Sequence, residues 1–118
     1  MPRTIGFGGL VSGNSRLAVL VLDGHSTAQI LLAGELDQVT AVELEDAVTS
    51  VLYDPQVQHI EVDVALVEFC DAGGLSALMA AALRAADQHV LLNLVQIRLP
   101  LQRILDAAKL ARLLCPPD

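Results

Sequence analysis

The stretch Phe69-Cys70-Asp71-Ala72-Gly73-Gly74-Leu75 stands where an alternating apolar strand gives way to a segment rich in alanine and leucine. Asp71 has the residue type and position of a helix N-cap, because its carboxylate can accept the orphan N–H groups of Gly73 or Gly74. The bare glycine backbone places these N–H groups and the positive end of the helix dipole at the surface. Such a junction suits an anion or a close-fitting protein partner. The rest of the chain decides between them.

Downstream of the junction, Leu75, Leu78, Met79, Ala82 and Ala86 mark the inner face of a helix, leaving Ser76, Ala77, Ala80, Ala81, Arg84 and Asp87 outside. Ala77, Ala80 and Ala81 then make a small apolar patch, suited to holding another protein's helix. Alanine is also the strongest helix former, which explains the same residues without a partner. Upstream, Ile60, Val62 and Val64 alternate with His59, Glu61 and Asp63. One face of that strand is therefore polar, and helices are expected on only one side of the sheet.

Further upstream, runs 17–22 and 28–33 flank Asp23-Gly24, a turn signal for an antiparallel hairpin. Gly34-Glu35-Leu36-Asp37 leaves the second run, and Thr40-Ala41-Val42-Glu43 matches a capping box. The helix that follows buries Leu44, Ala47, Val48, Val51 and Leu52, and Asp54-Pro55 stops it. A last clear strand covers 90–95. Leu99-Pro100 starts a third helix with Leu101, Ile104, Leu105 and Ala108 as its buried stripe, and 113–115 is expected as a short closing strand. Residues 1–15 read as a glycine-rich flexible lead-in, 16–115 as one domain and 116–118 as a tail. The order predicts an α/β domain with a mixed sheet of four to five strands that begins with an antiparallel hairpin.

Composition narrows the function. The 118 residues suffice for one core, and the apolar fraction of 53% is high for a soluble protein. No apolar run is long enough to span a bilayer, no signal-peptide pattern is present, and a cytoplasmic location is expected. A net charge of −7, with seven scattered basic residues and no Trp, argues against nucleic acid. Asp23, His25 and Ser26 share the residue types of a hydrolytic triad, but residues this close in one turn cannot face each other. His25, His59 and His89 lack metal-ligand spacing.

The order of elements, with Gly34-Glu35-Leu36-Asp37 before the first helix and Asp71-Ala72-Gly73-Gly74-Leu75 opening the second, resembles the STAS domain of bacterial anti-sigma factor antagonists. The resemblance spans roughly residues 17 to 114, the usual extent of one domain. It implies a binding protein rather than an enzyme, with no cofactor. It also implies a cytoplasmic anti-sigma factor as partner, often a serine kinase, whose sigma factor is released on docking. By the same resemblance, Glu35, Asp37, Asp71, Ala72, Gly73, Gly74, Ser76, Ala77 and Ala80 form the partner-binding surface.

The family's usual switch is a Ser or Thr directly after the junction aspartate. Ala72 occupies that place here and has no hydroxyl to phosphorylate. Phosphorylation would bring about −1.5 to −2 of charge and three acceptor oxygens to this face. Its loss implies a chain held in the binding-competent state. Ser76 is the nearest hydroxyl on the same helix, and its plainer reading is an ordinary polar helix residue. Cys70 and Cys115 read first as buried hydrophobes. As a redox switch, they would close a loop of about 45 residues worth roughly 4 kcal/mol. Two other functions stay open: an accessory subunit of a membrane transport or lipid-trafficking complex, and a small anion-binding domain or enzyme using the Gly73-Gly74 helix end.

Overall fold

Alternation of apolar residues in the first two runs produces a hairpin: β1 (Leu17–Asp23) pairs antiparallel with β2 (Thr27–Leu36), Leu17 opposite Gly34 and Asp23 opposite Ala28. The computed structural model describes residues 16–110 and Leu114. Gly24 N–H donates to Thr27 O at 3.0 Å and closes the turn. From β2 the chain crosses through α1 (Ala41–Leu52) to β3 (His59–Cys70), then through α2 (Ala72–Asp87) to β4 (Leu91–Val95), and ends in α3 (Leu99–Ala107). The two helical crossovers make β2–β3 and β3–β4 parallel, so the sheet is mixed, with order β1-β2-β3-β4 among the described residues.

The core lies between this sheet and helices α1 and α2. Ile30, Ile60, Val62 and Leu94 project from the strands to meet Leu44, Val48 and Val51 of α1 and Leu78, Ala82 and Ala85 of α2, all buried. Each fully buried Leu or Ile side chain contributes about 1.5–3 kcal/mol. The opposite sheet face carries the polar residues that the alternation predicted. There Gln29 Nε2 donates to Glu61 Oε1 at 3.1 Å, and His59 Nε2 lies 2.8 Å from Asn93 Oδ1.

Several local expectations need correction. β3 runs to Cys70, where the junction placed its end, but its register with β2 shifts twice, between Leu31 and Ala33 and between Gly34 and Glu35. Each shift inserts an extra β3 residue, and Asp63 Oδ1 accepts Ala65 N–H at 2.9 Å within the first. Such bulges re-aim side chains. Beyond Val64 the in–out alternation fails, leaving Leu66 and Phe69 exposed.

On α2, Ala77 and Ala81 are buried in the core and Ala86 is exposed, so the helix is rotated from the phase read in sequence. Arg84 is half-buried, donating to Thr49 Oγ1 of α1 at 2.7 Å. On α3 only Leu101 and Leu105 are buried, with Ile104 and Ala108 exposed. Leu114 is helical and buried rather than extended. The remainder of the expected closing strand, the lead-in 1–15 and the tail 116–118 lie outside the described residues.

Candidate docking site at the entrance of α2

Asp71 caps α2 as its position predicts. The residue is extended, at φ −103° and ψ −172°, and its Oδ1 accepts Gly74 N–H at 2.9 Å. Asp71 N–H in turn donates to Leu36 O at 3.3 Å, which ties the junction to the end of β2. The two glycines are required by close approach. A side chain at Gly74 would run into Leu36 O, and one at Gly73 would place its Cβ 2.8 Å from Gln38 Cβ. The turn between β2 and α1 is therefore packed directly on the first turn of α2.

That turn is organised by Asp37 and departs from the expected capping box. Asp37 Oδ1 accepts Val39 N–H and Thr40 N–H, each at 2.9 Å, and Oδ2 accepts from Arg16 Nη2 at 2.7 Å. Thr40 is helical, at φ −82° and ψ −9°, and its side chain makes no cap bond. Its hydroxyl accepts Asp37 N–H at 2.9 Å and donates to Glu35 O at 2.8 Å. The Thr40 N–H, then Arg16 and the Val39 N–H, hold the Asp37 carboxyl below its ordinary range despite the opposing effect of burial.

The carboxylates expected on the contact face are thus distributed unevenly. Asp37 is buried at 8% exposure and serves the turn. Glu35 is half-exposed but paired with Arg16 Nη1 at 2.7 Å. Only Asp71 borders the junction itself, and one of its oxygens is used in capping.

What α2 presents outward is a stripe of Ala72, Ser76, Ala80 and Leu83, all exposed and spaced for one helix face. Ala77, expected on this surface, is buried and cannot belong to it. Val39, 74% exposed, and Phe69, 51% exposed, are carried by the two segments that lead into the site. Sequence periodicity did not single out either one. Phe69 follows the β3 bulges, and Val39 is lifted out by the Asp37 turn.

Cys70 is half-buried and its thiol is pushed up to about 11, by burial first and then by the negative charge of Asp71. That shift favours the protonated thiol over the reactive thiolate at neutral pH. The local chemistry therefore disfavours a redox switch at Cys70. Its pairing with Cys115 lies outside the described residues. At the helix end read as an anion site, Gly74 N–H is already taken by Asp71. Among the described residues no cluster of His, Cys, Asp or Glu could hold a metal ion, and no helix is long and apolar enough to cross a membrane.

With this geometry in place, comparison with known proteins assigns the class. The family described as Mlab, STAS domain matches residues 20–115. The chain belongs to the STAS domain family.

It is similar to the anti-sigma-F factor antagonist RsfB of Mycobacterium tuberculosis, 32% identical over 72 residues that make up 61% of this chain and 58% of that protein. The match thus spans just under three-fifths of the curated relative's length. A crystal structure of an anti-sigma factor antagonist from Mycobacterium paratuberculosis superposes with TM-score 0.73 and 28% identity, covering 92% of each chain. The Bacillus cell fate determinant SpoIIAA in its phosphorylated form matches with TM-score 0.65 over 86% of this chain and 92% of its own. At 15% identity that likeness speaks for the fold alone.

Proposed function

We propose that this chain is an anti-sigma factor antagonist that docks through the entrance of α2, acts in the cytoplasm and is not switched by phosphorylation at the junction. The observation that carries the reading is Ala72. It is the exposed first residue of α2, follows the Asp71 cap, and heads a stripe formed with Ser76, Ala80 and Leu83. A methyl group there accepts no phosphoryl group, so the face keeps one charge state at that position. The antagonist relatives named above support the class of partner. The exposed apolar side chains of Val39 and Phe69 support a protein partner over a small anion.

Purified anti-sigma-F factor of M. tuberculosis is the first probe. Titration of the chain into this factor should give a saturable complex by calorimetry. Incubation of the pair with ATP should leave the intact mass of the chain unchanged. A phosphoryl group found at any residue of α2 would overturn the unswitched reading, and absence of a complex would remove this partner. Co-purification with a membrane transport complex instead would favour the accessory-subunit function.

A further inference from the structure

Arg16 bridges two carboxylates, that of Glu35 near the end of β2 and that of Asp37 at the start of the turn that follows. Nη1 meets Glu35 Oε1 and Nη2 meets Asp37 Oδ2, both at 2.7 Å. The Arg16 backbone is fixed as well, since Arg16 O accepts Glu35 N–H at 3.0 Å. Gly34, at φ 116°, permits that approach, because a side chain there would collide with Arg16 O. The clamp adjoins the docking junction on two sides. Glu35 stands opposite Phe69 in the sheet register, and Gln38, the residue after Asp37, packs on Gly73.

A planar guanidinium fork is suited to this bridge, whereas a lysine ammonium is a single point charge. Two carboxylates and one guanidinium leave one net negative charge where an unpaired turn would hold two. An uncompensated carboxylate beside a closing interface must be stripped of water, which weakens docking unless the partner supplies a cation.

We propose that Arg16 is a positioning and specificity-determining residue of the docking face. It holds the turn 37–40 against α2 and cancels carboxylate charge beside the junction, so that the face selects a partner surface that is apolar and weakly charged. The inference rests on the antagonist reading for its partner, but the clamp itself is testable in the free chain.

The variants are Arg16→Gln, Arg16→Lys and the pair Arg16→Gln/Glu35→Gln. In the free chain, Arg16→Gln should shift the amide resonances of Val39, Thr40 and Gly73, with Arg16→Lys closer to wild type. Against anti-sigma-F factor, Arg16→Gln should bind about tenfold more weakly. The double variant should return to within about threefold of wild type, because the turn again carries one net negative charge. A purely structural role for Arg16 would not be rescued by removing Glu35's charge. Unmoved resonances, unchanged affinity of Arg16→Gln, or a double variant no tighter than the single one would each overturn the proposal. If wild type fails to bind the factor, the antagonist reading for this partner falls. The resonances alone then decide the clamp, movement supporting it and stillness overturning it.

Discussion

Both helices that border the site begin beside an aspartate, and the two aspartates do different work. Asp71 caps α2 with a single local bond to Gly74 N–H and stays at the rim of the exposed face. Asp37 is buried, gathers two backbone N–H groups and a guanidinium, and leaves the actual N-cap position of α1 to Thr40. One aspartate therefore shapes the face proposed for docking, while the other fixes the support beneath it. Residue type is the same in both places, and the difference comes from the two N–H groups of the turn and from Arg16, the residue just before β1.

The largest effect that would break this contrast is on the supporting side. Asp37→Ala orphans the Val39 and Thr40 N–H groups and leaves Arg16 with one partner. Its loss of thermal stability should be at least twice that of Asp71→Ala, measured by calorimetric unfolding. Acid should find the same weakness. Because the folded carboxyl of Asp37 is held below its ordinary value of 3.8, its contribution is fully present above that value. The contribution is lost as pH falls from there through the lower folded value. Asp37→Asn should remove this part of the acid limb of a stability–pH profile, and an unchanged limb would show that Asp37 is not linked to folding.

Asp71→Ala comes next, at about 1 kcal/mol, the usual worth of an N-cap. Equal losses for the two aspartates would erase the distinction between them.

The smallest effect concerns the far end of α2. His89 sits at φ 61°, its N–H donating to Ala86 O while Val90 N–H donates to Ala85 O, a left-handed helix stop that glycine fills without strain. His89→Gly should raise stability by less than about 1 kcal/mol, read from the denaturant midpoint. A loss would mean that His89 contributes through its side chain.

How much of this was readable beforehand follows the range of the interactions. The Asp23-Gly24 hairpin, the α1 stripe and the Asp71 cap depend on neighbours a few residues away, and local pattern conveyed them. Thr40 satisfied the capping-box pattern, but Glu35 O offered its hydroxyl a tertiary bond and the turn took that alternative. On α2 the alanines gave no clear phase. Packing with α1, seen in the Arg84–Thr49 bond, turned Ala77 and Ala81 inward.

The exposure of Phe69 depends on bulges that no alternation rule predicts. The Arg16–Glu35 pair joins residues 19 apart, one just before β1 and one in β2, and only the antiparallel register of those strands brings them together. The cap and glycine contacts of the candidate site were thus legible from its motifs, while its charge balance required the fold.

The central claim is that the first residue of α2 belongs to the docking face and must remain uncharged. Its most direct measurement is the affinity of Ala72→Glu for anti-sigma-F factor, compared with wild type in the same calorimeter. The account predicts a loss of at least about tenfold with the fold intact by circular dichroism. Wild-type affinity in the Ala72→Glu protein would place the partner on another side of the molecule and contradict it.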